Sequence, residues 1–267
     1  MTKKNFFIIK DFSKFNWTGF LTLYKKEISR FLNVATQTLV APAITTLLFF
    51  AIFTIALDRT SIVYNGISFS EFLAPGLICM AILQNAFANT SSSILISKVQ
   101  GNIVDILMPP LSEYELTFAY ALGGITRGLI VGVVVAFTIY LIVPLKIYSF
   151  ASIIFFSVSS SLLLSLLGIF CGVWSLKFDH MAAITNFIIT PLTFLSGTFY
   201  SIDRLPQFWK SFAEFNPFFY MIDGLRYGFL GVSDGNLTVG ILLMCVFNIV
   251  SLIMCLIMFK RGYRLKS

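Results

Sequence analysis

LTVGILLMCVFNIVSLIMCLIMF, residues 237–259, is a run of 23 residues without a charged side chain. A helix rises about 1.5 Å per residue, so about 20 apolar residues cross the roughly 30 Å hydrocarbon layer of a bilayer. Because the run is continuous rather than alternating, it predicts a membrane-spanning helix and not a barrel strand. Five more windows of this kind precede it, at 37–57, 72–97, 116–143 (interrupted by Arg127), 147–174 and 181–199. The sequence therefore predicts an all-α polytopic membrane protein with six transmembrane helices.

The composition of the whole chain supports this class. Of 267 residues, 57% are hydrophobic and 12% are charged, 30 are Phe, and the mean hydropathy is +0.88. A soluble core of this length could not bury so much apolar surface, so the composition excludes a soluble enzyme and a disordered chain. The four cysteines lie in apolar stretches without CxxC spacing, which excludes a disulfide scaffold and favours small buried side chains.

The net charge of +7 comes from basic residues that flank the apolar windows. Seven of the 19 precede the first window and four follow the last one. With the N-terminus inside, 13 lie on the cytoplasmic side and five (Arg59, Lys146, Arg204, Lys210 and Arg226) lie outside, with Arg127 set aside. This bias predicts that both termini are cytoplasmic and that the flanks contact anionic membrane lipids. Since no soluble basic domain is present, nucleic-acid binding is not expected.

Residues 1–36 precede a single membrane domain at 37–267. The first residues have an apolar core of only four, so no cleaved signal is expected. Residues 17–33 show helical periodicity, with Trp17, Phe20, Leu21, Tyr24, Ile28, Phe31 and Leu32 on one stripe. This pattern predicts an amphipathic helix on the cytoplasmic membrane surface, or one packed against another protein domain, and the two are compatible.

The connection between the second and third windows, KVQGNIVDILMPPLSEYE at 98–115, has a pattern of its own. Ile103, Ile106 and Leu107 form one apolar face of a short helix, with Asp105 beside it, and Pro109-Pro110 ends that helix. The pattern is typical either of a docking element for a cytoplasmic partner or of an ordinary interfacial loop helix.

The segment at 196–236 is too apolar for a free loop, yet Pro206, Pro217 and Gly224 interrupt it. Short re-entrant helices that enter the outer leaflet and return to the surface would account for both properties.

Small and polar residues mark three of the windows. Two rows of small residues favour close helix packing over a substrate path. One row is formed by the glycines at 124, 128 and 132, and the other, on the fourth window, by Ser157, Ser161, Ser165, Gly168 and Gly172. Gln84, Asn85 and Asn89 on the second window indicate either interhelical hydrogen bonds or a substrate surface, with Gln84 near mid-span. Arg127 could pair with Glu113 or Glu115.

No catalytic or nucleotide-binding motif is apparent. His180 is the only histidine, and Ser196 lies 16 residues away, roughly 24 Å along a helix. The chain has no GxxxxGK[ST] phosphate loop, so any energy from ATP must come through another subunit.

Two stretches carry a resemblance to a known family. FLSGTFYSIDRLP at 194–206, followed by NPFFYMIDGLR at 216–226, resembles the signature region of ABC-2 type transporter permeases. QGNIVDILMPPLSEYEL is similar to that family's first cytoplasmic loop, and the order of elements matches over nearly the whole chain. One position departs from the pattern, since Ser201 stands where the family often has Pro.

The resemblance implies a bacterial inner-membrane exporter subunit that dimerises with itself and pairs with an ATP-binding cassette ATPase, which binds ATP and Mg; this chain binds no cofactor. It implies a coupling helix to the ATPase, formed by Asn102, Ile103, Asp105, Ile106 and Leu107. It also implies a re-entrant segment at the exit, with Leu205, Pro206, Asn216, Pro217, Asp223 and Arg226. The expected cargo is amphipathic: a lipid, a lipid-linked glycan or polysaccharide, or a drug.

The alternative is an ion-coupled secondary transporter or a channel that works without an ATPase. The absence of an acidic residue at mid-membrane depth counts against it.

Overall fold

The computed structural model describes residues 15–57, 66–202 and 205–263, without the side chain of Glu214. Eight of the basic residues counted for the topology lie outside this described part: the first four of the chain, Arg59, Arg204 and the last two. So does Asp203 in the signature stretch.

The described residues form helices in the following order. The chain runs through α1 (Trp17–Leu32), a π-helical turn (Thr36–Val40) continuing into α2 (Ala41–Leu57), α3 (Phe69–Val99), α4 (Ile103–Leu107), α5 (Glu113–Tyr140), α6 (Phe150–Trp174), α7 (Phe178–Ile184), a π-helical turn (Thr185–Ile189), α8 (Thr190–Leu195), α9 (Gln207–Phe215), α10 (Pro217–Leu230) and α11 (Leu237–Arg261).

Five helical segments in the described part are long and apolar enough to cross a membrane. They are Thr36–Ala56 together with α3, α5, α6 and α11. The predicted fifth window at 181–199 lies instead on the continuous run of α7, the π-helical turn and α8, from residue 178 to 195. Asp179 and His180 lie in the first turn of this run and Asn186 lies further along it, so the run is less apolar than the other five.

Side-chain caps fix where the long helices begin. Ser68 and Glu71 form a reciprocal capping box at the start of α3, and Ser112 and Glu115 form another at the start of α5. At the opposite end of α3, Lys98 Nζ donates to the carbonyl oxygens of residues 173 and 175, at 2.6 and 2.7 Å. This contact ties the end of α3 to the end of α6.

The centre of the domain is α3, which packs against α5, α6 and α10. Glycines let these helices approach closely. A Cβ on Gly168 would lie 2.6 Å from the backbone oxygen of Phe87, and one on Gly128 would lie 3.0 Å from Ser161 Oγ. Since neither distance leaves room for a larger side chain, the predicted packing role of the two small-residue faces is confirmed.

Candidate functional site

A groove of about 750 Å³ lies between α1, α4 and the turn that follows α4. We call it the α1–α4 groove. Its lining includes Thr22 and Lys26 of α1, Asp105 and Ile106 of α4, and Pro109 of the turn. The groove therefore brings together the N-terminal helix and the connection at 98–115, which are far apart in sequence.

The short helix predicted in that connection is present as α4, but its apolar residues face inward. Ile103 and Ile106 are each only 8% exposed and pack in one cluster with Phe20 and Leu116, while Leu107 is half-buried. The predicted apolar face is thus part of the core of the protein. It is not a free surface.

The outward surface of α4 consists of other residues. Asn102 and Asp105 are exposed, Val104 is 49% exposed and the adjoining Met108 is 76% exposed. This mixed apolar and acidic surface is the part of the connection at 98–115 that another protein can reach.

The turn after α4 is held against the start of α1. Asn16 Nδ2 donates to the carbonyl oxygen of Pro110 at 3.3 Å, and the backbone N–H of Asn16 donates to Glu115 Oε1. Glu115 Oε2 accepts from the backbone N–H of Ser112 at 2.7 Å. These contacts join α1, the turn and α5 into one structural unit.

The inner face of α1 differs from the predicted stripe. Phe20, Leu23, Glu27 and Phe31 are buried, whereas Trp17, Leu21 and Leu32 of the predicted stripe are exposed. The helix is amphipathic as expected, but its buried face is rotated towards Leu23 and Glu27. The reason is that α1 packs on α5 and meets polar residues of α3.

Glu27 is fully buried at this contact. Its Oε1 accepts from Ser93 Oγ of α3 at 2.6 Å, and its Oε2 lies 3.3 Å from Arg30 Nη2. The same Arg30 nitrogen donates to the backbone oxygen and Oδ1 of Asn89, at 2.7 and 2.9 Å. A partly buried, hydrogen-bonded ion pair thereby anchors α1 to α3.

One helical turn before Asn89 on α3, the side chain of Asn85 accepts a hydrogen bond from a second arginine. Arg127 Nη2 of α5 donates to Asn85 Oδ1 at 3.0 Å, and Asn85 Nδ2 donates to the carbonyl oxygen of Ala81 at 3.0 Å. The expected pairing of Arg127 with Glu113 or Glu115 is wrong, because Glu115 is used at the start of α5, where it caps the helix. Asn85 and Asn89 both make interhelical hydrogen bonds.

A second groove, of about 380 Å³, is bordered by α2 with its preceding π-helical turn, by α3 and by α8. We call it the α2–α8 groove. It is lined by Gln84 and Asn85 of the three predicted substrate-path residues, whereas Asn89 is not part of the lining. Gln84 is half-buried and makes no hydrogen bond within the described part of the chain.

The α9–α10 segment is fastened to the rest of the domain by the predicted signature residues. Asn216 caps α10, because its Oδ1 accepts from the backbone N–H of Phe218 at 3.1 Å. Its Nδ2 donates to Ser196 Oγ and to the carbonyl oxygen of Leu192, at 2.8 and 3.1 Å. Asn216 thus links α10 to the end of α8.

Arg226 and Asp223, one helical turn apart on α10, are also buried. Arg226 Nη2 donates to the carbonyl oxygen of Gly197 at 2.6 Å, and its guanidinium lies 3.9 Å from the ring centroid of Phe72. Asp223 accepts the backbone N–H groups of Asp234 and Gly235, at 2.8 and 3.1 Å. Burial raises the pKa of the Asp223 carboxyl, while these two donors and the nearby arginine act against the shift.

The other signature residues lie where the α9–α10 segment meets solvent or lipid. Pro206 is exposed, and Leu205 and Pro217 are half-buried. The helix α9 between them exposes large aromatic side chains, with Phe208 at 74% and Phe215 at 87% exposure.

Two residues of the α1 anchor, Glu27 and Arg30, were missed by the sequence analysis. The signal was present, because Glu27 lies four residues after Leu23 and four before Phe31, in the middle of an apolar stripe. A carboxylate in that position indicates a buried partner. One partner, Arg30, lies three residues further along the same helix, whereas the other, Ser93, is 66 residues away in sequence and cannot be identified from spacing.

Comparison with known proteins places the chain in a family. Residues 18–230 match the ABC-2 type transporter family. The chain is 37% identical to the inner membrane transport permease YadH of Escherichia coli K12 over 251 residues, which cover 94% of this chain and 98% of that protein. It is 24% identical to nodulation protein J of Rhizobium leguminosarum bv. viciae over 208 residues, or 74% and 76% of the two chains.

Permeases of this family lack the ATPase domain, so ATP is handled by a partner subunit of the ATP-binding cassette class. The alternative of a transporter that works without an ATPase is therefore set aside. The chain belongs to the ABC-2 type transporter family and is a permease subunit of the inner membrane.

Proposed function

We propose that two copies of the chain form the membrane part of an exporter that moves an amphipathic substrate outward across the inner membrane. In this proposal α7 and α8 form the fifth of six membrane-crossing segments, and both termini are cytoplasmic. Residues 1–36 are the cytoplasmic segment and residues 37–267 the membrane domain. The helices α9 and α10 form the re-entrant segment on the outer side.

The observation that carries the proposal is the arrangement of α4. Its inward residues, Ile103 and Ile106, are packed into the core, while Val104, Asp105 and Met108 face outward beside the α1–α4 groove. A partner ATPase that contacts this outward surface moves a helix that is rigidly joined to α1, α3 and α5. ATP binding can drive transport only when the two conformations of the permease bind the ATPase differently, and this surface supplies such a contact.

The α2–α8 groove is the proposed substrate path, with Gln84 and Asn85 in its wall. The position of this groove supports the role, because α2, which forms one of its walls, is mostly not buried within one copy of the chain. Asn89 is assigned a positioning role, because its side-chain oxygen holds Arg30.

The exposed aromatic side chains of α9 support an interfacial position for the re-entrant segment. Trp is enriched at membrane–water interfaces, and Phe208 and Phe212 beside Trp209 are exposed apolar groups of the kind that an interfacial helix buries in the bilayer. Buried Asn216 and Arg226 fasten this segment to the end of the helical run that contains α8. A movement of α8 is thereby passed to the exit side.

The test is gentle detergent extraction of the tagged protein, identification of what copurifies, and ATPase measurement. We expect a stoichiometric ATP-binding subunit of unrelated sequence, two copies of the permease in the complex, and vanadate-sensitive hydrolysis. A homo-oligomer that never retains an ATPase in any mild detergent would contradict the proposal.

A further inference from the structure

The lining of the α2–α8 groove is polar but uncharged. Six side chains with amide or hydroxyl groups contribute to it, and none of the groove residues in the described part is Asp, Glu, Lys or Arg. The six are Gln37, Thr45, Thr46, Gln84, Asn85 and Thr190. They come from the first π-helical turn, from α2, from the centre of α3 and from the start of α8, so the fold gathers them in one place.

Several of these groups have no partner within the described part of the chain. Thr46 is only 8% exposed, yet its hydroxyl makes no hydrogen bond to any described residue. The amides of Gln37 and Gln84 and the hydroxyl of Thr190 are likewise unused within residues 15–57, 66–202 and 205–263. Polar side chains left unpaired in the wall of a groove can donate to and accept from a ligand bound there, so this arrangement favours a ligand that supplies hydrogen bonds.

The hydrogen-bonding groups of the lining limit the chemical class of ligand that can bind. An amide side chain offers both a donor and an acceptor, and a hydroxyl does the same. Hydroxyl groups on a ligand match both. An ionic headgroup, by contrast, would lose its hydration in a groove that provides no counter-ion in its lining. Arg127, the nearest cation on α5, does not line the groove and binds Asn85 Oδ1.

The rest of the groove is apolar and continues towards the exposed side of α2. Phe49 and Phe194 line it and stack with Phe53 and Phe199, with ring centroids 4.4 to 6.5 Å apart. Ile44 and Leu48, next to the lining threonines on α2, are more than half exposed. A ligand with its headgroup among the six polar side chains can therefore place its hydrocarbon chains against this apolar side of α2.

From these contacts we infer that the α2–α8 groove selects an uncharged amphiphile whose headgroup is rich in hydroxyl groups, such as a sugar-bearing lipid. The inference rests on the proposed function, because it assigns a substrate class to the proposed path.

The test measures binding of three radiolabelled lipids with identical acyl chains to the purified full-length permease, with its copurifying ATPase, in nanodiscs. The lipids carry a glucosyl, a phosphate or a trimethylammonium headgroup. We expect saturable binding of the glucosyl lipid, at least tenfold tighter than that of either charged lipid. The isosteric change Thr46→Val should weaken glucosyl-lipid binding about tenfold, as for one lost hydrogen bond, and Gln84→Leu should act in the same direction.

The matched control is Thr54→Val. Thr54 lies on the same helix, eight residues further on, and does not line the groove. It should leave binding unchanged. Tighter binding of a charged lipid, or wild-type affinity in the Thr46→Val protein, would overturn the inference. Either result leaves the proposed function standing if the ATPase copurifies. Conversely, if no ATPase is retained, the proposed function fails, but the headgroup preference can still be measured on the permease alone.

Discussion

The packing of α3 against α5 and α6 differs sharply from that of α2. In the most apolar 18-residue window of each segment, 83% of the residues of α3 are buried, against 17% for the segment that contains α2. The α3 contacts are made by glycines and serines at close approach, whereas α2 begins with a π-helical turn and borders a groove.

The difference separates the parts of the domain that can change shape from those that cannot. Close-packed interiors do not deform continuously, so α3, α5 and α6 transmit motion as one body. The π-helical turns at Thr36–Val40 and Thr185–Ile189 lie in the two segments that border the groove, and such turns are frequent at functional sites. We therefore expect substitutions in the first region to affect folding and those at the groove or at α4 to affect transport.

The largest effect is expected for Gly168→Leu on α6. Its side chain would meet the backbone oxygen of Phe87, which cannot move without disrupting α3. No monodisperse protein should be recovered by size-exclusion chromatography. The control is Ala41→Leu on exposed α2, which should give wild-type yield. Equal yields of the two variants would remove the distinction between the two regions.

Next in size is Glu27→Ala, which leaves Arg30 without its carboxylate partner. Arg30 is 26% exposed and keeps its hydrogen bonds to Asn89, so the loss of the carboxylate should cost about 1 to 3 kcal/mol of unfolding free energy. Thermal unfolding in detergent should show a clearly lowered Tm, while the exposed neighbour Lys26→Ala should change it little. A Tm equal to that of the wild type would mean that the α1 anchor is not part of the rigid body.

A smaller effect, on coupling only, is expected for Asp105→Lys on the outward surface of α4. Since Asp105 is exposed, the variant should fold with an unchanged Tm, but ATPase stimulation by substrate should fall about tenfold through lost contact with the partner. Asp179→Lys reverses an exposed charge at the start of α7 and serves as the control. Equal stimulation in the two variants would argue against docking at α4.

The smallest effect is expected for Asn216→Ala. Loss of a helix N-cap costs about 1 kcal/mol, and Asn216 also donates to Ser196 Oγ. Asn236→Ala removes the exposed N-cap of α11 without such a link. The Tm of the Asn216 variant should fall further than that of the Asn236 variant, by the amount that the buried link contributes. If both fall equally, Asn216 does not fasten the α9–α10 segment.

How much of this architecture could be predicted from sequence depends on the kind of information each feature needs. The glycine ridge at 124, 128 and 132 and the short helix at 103–107 follow from local spacing, and both are present. The direction in which Ile106 points does not follow from spacing, because it depends on where α1 lies. The pairing of Arg127 with Asn85 likewise depends on the relative positions of two helices. The acidic residues that are nearest to Arg127 in sequence are not its partners.

The groove illustrates the same limit. Gln84 was identified from its depth in the second window, but Thr46 and Thr190 carried no signal of their own. A threonine in an apolar helix usually donates to the carbonyl oxygen four residues earlier, as Thr45 does to Ala41 at 2.9 Å. Only the packed structure distinguishes Thr46, which makes no such bond.

The most direct test of whether the ATPase docks at α4 is site-specific photocrosslinking in the membrane. The photoreactive residue p-benzoylphenylalanine is placed at Val104 on α4 or, as a control of matched exposure, at Phe212 on α9; the two side chains are 49% and 48% exposed. We expect an ultraviolet-dependent adduct with the ATP-binding subunit from position 104 and none from position 212. No adduct from 104, or an adduct with the ATPase from 212, would contradict the assignment of α4 as the docking helix.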